Sequence, residues 1–189
     1  MQAAGRLVFP IFGFVLAYNL ASSDDARLRR VLIWLLAFGL LAQPFSMMLR
    51  KPVMPDGGWW VLNILFTFAF AVAVVVVMKR ATHWIYAPIV LLAFMVFGAF
   101  LEFHWFGVAY VVSSYYLCER RSVFALITWF ITVLALTLEN GNAWALAAIP
   151  IIALLSRREL HLRRAPRWAF YVFYVSHLGI LWAVLQASR

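Results

Sequence analysis

Long apolar runs separated by short polar segments dominate the chain. The runs are continuous and lack the period-two alternation of a membrane barrel strand, so the pattern predicts helices. A hydrocarbon core of about 30 Å takes roughly 20 helical residues, a length that most runs approach. We predict an all-α, polytopic transmembrane helical bundle that forms one integral membrane domain over residues 1–189. The eight hydrophobic segments lie near 5–20, 31–49, 59–78, 84–101, 105–117, 123–138, 144–156 and 168–187.

Two of these segments fall short of a full membrane span. We expect 105–117 and 144–156 to borrow flanking residues, to tilt, or to remain half-helices inside the bundle. The composition agrees with a membrane location, because the chain is 66% hydrophobic and 12% charged, with a mean hydropathy of +0.91. A soluble domain has about half apolar and about a quarter charged residues. The composition therefore excludes a soluble domain.

Lys and Arg residues are unevenly divided between the two predicted sides of the membrane. By the positive-inside rule the richer side faces the cytoplasm. This predicts a multi-pass protein of the bacterial inner (cytoplasmic) membrane with cytoplasmic basic loops. The poorer, outer side carries Arg6, Arg50, Lys51 and Arg189. The richer side carries Arg27, Arg29, Arg30, Lys79, Arg80, Arg120, Arg121, Arg157, Arg158, Arg163, Arg164 and Arg167.

The net charge of +9 is carried mainly by these loops. We therefore predict contact with anionic membrane lipids and no binding to nucleic acid. The chain has no phosphate-binding glycine loop, no paired-cysteine metal pattern, no HExxH and no GxSxG. Its four histidines fall on different segments, so the sequence predicts no metal site.

One histidine, His177, lies in the apolar stretch from Arg167 to Trp182, near the predicted bilayer midplane. An ionisable residue inside a span is a candidate functional residue. Tyr171, Tyr174 and His177 are spaced by three and are predicted to share one helix face. His177 is a candidate general base, with a tyrosine hydroxyl orienting its other nitrogen. The alternative is a helix-to-helix hydrogen bond that only holds the bundle together.

Four further residues complete the candidate site. Glu102, at the predicted outer rim, is a catalytic candidate that pairs with His177 or Arg6; the alternative is a solvated helix cap. Arg6 either snorkels to the interface or presents a fixed positive charge to Glu102 or to a substrate. Asn63 and Thr67 are four residues apart and are predicted to face into the bundle, as interhelical contacts or as substrate contacts.

Several sequence pieces resemble motifs of the TraX family of bacterial membrane acetyltransferases, known for acetylating the pilin of conjugative pili. They occur in the family's order: GRLVFPIFGFVLAY at 5–18, LAQPF at 41–45, NILFTF at 63–68, EFHWFGV at 102–108 and FYVFYVSHL at 170–178. Glu102 and His104 stand where the family has aspartate and glycine. Nothing before Gly5 supplies the Asp-His pair of the family's first helix, so we expect that helix to be lacking here.

The resemblance implies a membrane-embedded acyltransferase that transfers an acetyl group from acetyl-CoA to a pilin N-terminus or a surface glycan. A different class stays open, a non-catalytic membrane bundle that serves as an accessory subunit or a small transporter-like protein. In the acyltransferase hypothesis the catalytic candidates are His177 and Glu102. The substrate-binding candidates are Arg6, Asn63, Thr67, Tyr171 and Tyr174.

The basic loop at 157–167 admits two roles. Guanidinium groups suit phosphate oxygens, so Arg163, Arg164 and Arg167 are candidates for binding the phosphates of coenzyme A. The alternative is that these arginines set the topology and bind lipid headgroups.

Overall fold

The computed structural model describes residues 2–54, 58–80, 86–157 and 168–187, without the side chains of 2–6, 59, 86–87 and 155–157. These residues form eight α-helices and a 3-10 turn at Gly58–Trp60. The all-α prediction is confirmed. The helices are α1 (Gln2–Ala21), α2 (Asp25–Arg50), α3 (Ile64–Arg80), α4 (Tyr86–Gly98), α5 (His104–Arg120), α6 (Val123–Asn140), α7 (Trp144–Arg157) and α8 (Ala169–Ala187).

The helix surfaces have the character of a membrane protein. Among the described residues, α2, α6 and α8 are long and apolar enough to cross a bilayer. Large apolar side chains such as Ile33, Leu40 and Phe124 are exposed on the outside of the bundle. An apolar surface of this extent marks contact with lipid or with another protein.

The segment at 105–117 borrows flanking residues, one of the outcomes expected for it. Helix α5 has 17 residues, because it continues through the polar residues Cys118, Glu119 and Arg120, which a search for apolar runs leaves out. The segment at 144–156 forms the 14-residue α7, as expected. Among the helices formed by the described residues α4 is the shortest, with 13 residues, and the chain turns after Gly98 before α5 begins.

Helix α5 lies at the centre of the bundle and packs against α1, α3, α4 and α6. Its Tyr110 and Tyr115 are among the largest fully buried side chains. Gly13 lets α1 approach closely, because a Cβ there would lie 3.1 Å from the Tyr110 ring. The Tyr110 hydroxyl donates to the carbonyl of Pro10 at 2.7 Å. Small residues permit such contacts in membrane bundles, where close packing drives helix association.

The start of α2 and the end of α3 and α5 meet at one end of the bundle, which we call the basic end. Arg80 binds the carboxylate of Asp25 at 2.7 Å, and the Tyr116 hydroxyl contacts the sulfur of Met78. Arg27, Arg29, Arg30, Lys79, Arg80, Arg120 and Arg121 belong to these helix ends. The expected grouping of these charges is therefore confirmed, and their cytoplasmic placement stays a prediction.

Candidate functional site

Gln43 and Asn63 join α2 to the beginning of α3, at the end opposite the basic end. The side-chain nitrogen of Asn63 donates to the Gly39 carbonyl at 2.8 Å and to Gln43 Oε1 at 2.9 Å. Gln43 in turn donates to the Val61 carbonyl at 3.1 Å. Asn63 Oδ1 caps α3 by accepting the N–H of Leu65. Both polar atoms of the Asn63 side chain are thus engaged, the nitrogen in joining α3 to α2 and the oxygen in capping α3.

Thr67 lies one turn further along α3 and is also fully buried, so the prediction that both residues face inward is confirmed. Its methyl group packs at Gly107, where an added Cβ would lie 3.1 Å away. Its hydroxyl oxygen has no hydrogen-bond partner among the described residues. A buried hydroxyl without a partner costs free energy. Thr67 is therefore the one of the two whose side chain keeps an unused hydrogen-bonding group.

Arg50, at the last turn of α2, forms an ion pair with Glu102. Its Nη2 lies 2.9 Å from Glu102 Oε1, and its Nη1 donates to the Val61 carbonyl at 3.0 Å. The expected pairing of Glu102 with His177 is wrong. The pairing with Arg6 falls outside the described side chains.

The backbone explains why Arg50 is the partner of Glu102. Leu62 donates its N–H to the Phe100 carbonyl at 2.8 Å and forms a bridge with Leu101. This contact places the turn before α5 beside the turn before α3, directly under the end of α2. A sequence gives no register for such a contact.

Glu102 is only partly accessible, and its two carboxylate oxygens differ. The side chain is 32% exposed. Its Oε2, however, is buried and has no hydrogen-bond partner among the described residues. Burial raises the pKa of Glu102 above its ordinary value, while Arg50 and the N–H of Ile64 oppose the shift. One oxygen is thus anchored by a cation and the other is left to accept a proton.

Tyr174 of α8 lies next to this ion pair. The Tyr174 hydroxyl and the Glu102 carboxylate both lie near the backbone N–H of Ile64, the first residue of α3. The N-terminus of a helix carries partial positive charge, which favours a carboxylate or a developing oxyanion. The structure therefore brings together two predicted site residues, Glu102 and Tyr174, with Thr67 one turn further along α3.

The expected shared face of Tyr171, Tyr174 and His177 is wrong for the histidine. Tyr171 is buried and stacks on Phe38 with ring centroids 5.5 Å apart, and Tyr174 is half-buried. His177 is exposed and stacks on Phe173 at 5.8 Å. Each residue turns the helix by about 100°, so six residues place His177 about 120° away from Tyr171. The imidazole consequently points away from the packed side of α8.

A second pair, His104 and Glu139, lies beside the first. His104 Nδ1 is 2.5 Å from Glu139 Oε1, which links the start of α5 to the end of α6. His104 has a φ of 42°, in the left-handed region that favours glycine. The motif to which EFHWFGV is similar has glycine at this position. That substitution was the only sequence signal for an unusual role of His104.

Several predicted residues lie outside this description. Arg163, Arg164 and Arg167 fall in the segment 158–167, which the structure does not describe. For Arg6 only the backbone is described, within α1.

Comparison with known proteins identifies the relatives of this chain. A family model described as TraX protein matches residues 1–185. The chain belongs to the TraX family. It is similar to a protein named Protein TraX from Escherichia coli, with 31% identity over 194 residues that cover 96% of this chain and 74% of the relative. No solved structure matches. The TraX family is the one whose motifs the sequence resembles.

Proposed function

We propose that this TraX-family chain is a membrane-embedded acyltransferase that transfers an acetyl group from acetyl-CoA to a pilin N-terminus or a surface glycan. Family membership supports a role connected with pilin acetylation. The polar cluster of Arg50, Glu102 and Tyr174, partly enclosed by an otherwise apolar bundle, supports a chemical role, because burying polar groups costs free energy.

The observation that carries this proposal is the unpaired, buried Oε2 of Glu102. Acyl transfer to an amine or hydroxyl requires a base for the acceptor's proton. As the new bond forms at the acetyl carbon, that proton passes to Glu102. The carbon–sulfur bond then breaks, and the leaving thiolate takes the proton from Glu102, which releases the thiol and restores the carboxylate. The raised pKa of Glu102 makes its carboxylate a stronger base than an ordinary glutamate.

The neighbours of Glu102 supply the other requirement of acyl transfer. The carbonyl oxygen of the thioester gains negative charge as the acceptor attacks, and positioned donors stabilise that charge. The hydroxyl of Tyr174 and the N–H of Ile64 are such donors beside Glu102. His177 is a second candidate for the base, although its outward orientation requires an acceptor that approaches from outside the packed bundle.

The location and the remaining contacts belong to the same proposal. The basic end faces the cytoplasm of a bacterium, across the inner membrane, where coenzyme A is available. Arg163, Arg164 and Arg167 then add positive charge for its phosphates. Arg6 remains a substrate-binding candidate, while the bonds of Asn63 favour a role in shaping the site.

The test is transfer of labelled acetyl from acetyl-CoA by membranes that contain the chain, with pilin peptide and surface glycan as acceptors. Labelled acetyl on either acceptor supports the acyltransferase, provided that membranes without the chain produce none. The non-catalytic bundle is favoured by the full engagement of Gln43 and Asn63 in helix contacts. It predicts no transfer to either acceptor at equal protein levels.

A further inference from the structure

A cavity of about 550 Å³ lies between α1, α2 and α8, with α3 at its inner side. It opens toward the basic end, because Arg27 and Arg30 come from the first turns of α2. Aromatic and aliphatic side chains form most of its wall. The wall includes Asn19, Trp34, Phe68, Trp168 and Tyr171.

Arg27 and Arg30 are the only charged side chains in the wall of this cavity among the described residues. Neither forms an ion pair with a described carboxylate, whereas nearby Arg80 is bound to Asp25 at 2.7 Å. Two guanidinium groups on neighbouring positions of one helix face suit an anionic group with several oxygens, such as a diphosphate. The two arginines at the entrance therefore favour a phosphate group. The apolar wall favours an uncharged, elongated part of the same ligand.

The inner end of the cavity, at Phe68 and Tyr171, lies on the side of α3 and α8 that leads along these helices toward the Glu102 cluster. Phe68 is the residue after Thr67 on α3, and Tyr171 lies one turn before Tyr174 on α8. An elongated ligand that enters at Arg27 and reaches Phe68 would thus end within one helical turn of the free hydroxyl of Thr67. A cavity with two arginines at its entrance and its inner end on the helices that carry Thr67 and Tyr174 has the order of parts of a thioester donor site.

We propose that this cavity binds the donor, a thioester carried on a phosphorylated pantetheine arm, with its phosphates at Arg27 and Arg30 and its arm along the aromatic wall. The inference rests on the proposed function and assigns its donor site. It places the donor's phosphates on described residues of α2. The acyl group then lies at the Phe68 end.

Binding of coenzyme A to the purified full chain in detergent tests the phosphate contacts. We expect the double variant Arg27→Gln, Arg30→Gln to bind at least tenfold more weakly, because each lost charge-assisted contact costs several-fold in affinity. Arg29→Gln is the matched control, since Arg29 lies between them in sequence but outside the cavity wall. Equal affinities of wild type and double variant would overturn the proposal.

Protection of an introduced cysteine from chemical modification tests the position of the pantetheine arm without changing any arginine. In a Cys118→Ala background the chain has no cysteine, so Asn19→Cys places one reactive thiol in the cavity wall. We expect coenzyme A to slow its modification by a maleimide. Tyr18→Cys is the control, because Tyr18 is exposed and belongs to a separate surface depression beside Leu117 and Leu126. Coenzyme A should leave this thiol unprotected.

The remaining outcomes separate the donor site from a lipid site and from the function itself. Protection of Asn19→Cys by anionic phospholipid but not by coenzyme A would overturn the proposal and assign the cavity to a lipid headgroup. If coenzyme A protects the thiol of Asn19→Cys but the wild type transfers no acetyl group, the donor site is retained and the proposed acetyltransferase activity is overturned. Wild-type transfer rates in the double glutamine variant would overturn the donor site alone.

Discussion

The guanidinium of Arg50 and the carboxylate of Glu102 lie 2.9 Å apart, although 52 positions separate them along the chain. The contact ties the last turn of α2 to the turn before α5 and holds only one of the two carboxylate oxygens. Arg50 therefore fixes Glu102 in place, while the second carboxylate oxygen keeps its hydrogen-bonding capacity. This distinction separates a purely structural ion pair from a group that can still accept a proton.

The raised pKa of Glu102 predicts how stability depends on pH. The folded state favours the protonated carboxyl, so this residue contributes most to stability below the pKa of the unfolded chain. That contribution is lost as the pH rises through the raised pKa of the folded state. In the Glu102→Gln variant the side chain at this position does not titrate. We expect the thermal stability of wild type relative to Glu102→Gln to fall as the pH rises above the ordinary pKa of glutamate, about 4.3. A relative stability that rises with pH would show that Arg50 outweighs burial.

The left-handed backbone at His104 gives a prediction that separates backbone strain from the contact with Glu139. His104→Gly and His104→Ala both remove the imidazole, but only glycine adopts a φ of 42° without strain. We expect the glycine variant to be more stable than the alanine variant by about 1 kcal/mol. Thermal unfolding in detergent measures the difference. Equal stability of the two variants would mean that this backbone conformation carries no strain.

The orientation of His177 predicts a mild effect of its substitution. Glutamine is similar in size, and His177 is exposed and contacts Phe173. We expect His177→Gln to keep acetyl transfer within about threefold of wild type, whereas loss of a general base costs about 10² to 10⁴ in rate. A loss of that size, in a variant of unchanged thermal stability, would transfer the role of base from Glu102 to His177.

The division of Lys and Arg predicts the orientation of the chain. A reporter fused after Arg164 should read cytoplasmic, and one inserted near Asn140 should read external, because the richer group of positive charges stays in the cytoplasm. Reversed signals at both positions would place the basic end outside. The cavity at Arg27 and Arg30 would then open away from the cytoplasmic pool of coenzyme A.

The helices were predictable from the sequence because apolar length alone specifies them in a membrane. The inward direction of Asn63 and Thr67 followed from their spacing of four. The direction of His177 did not follow from its spacing of three from Tyr174, since each such step shifts the face by about 60° and two steps carry the side chain out of the packed face.

The partners within the site could not be predicted from the sequence. Arg50 stands at a helix end beside Lys51, a pattern typical of a residue that reaches the membrane interface. Its pairing with Glu102 depends on the contact between Leu62 and Leu101, which only the folded chain provides. The pair of His104 and Glu139 likewise depends on how α5 packs against α6.

The most direct test of the central claim is acetyl transfer by Glu102→Gln. Membranes with equal amounts of protein are compared for transfer from labelled acetyl-CoA, with thermal stability measured in parallel. The matched control is Glu119→Gln. It removes a carboxylate at the basic end of α5 that accepts a hydrogen bond from the Tyr115 hydroxyl. We predict a loss of about 10² to 10⁴ in rate for Glu102→Gln, and near-normal transfer for Glu119→Gln. Wild-type transfer by a folded Glu102→Gln variant would contradict the role of Glu102 as the base.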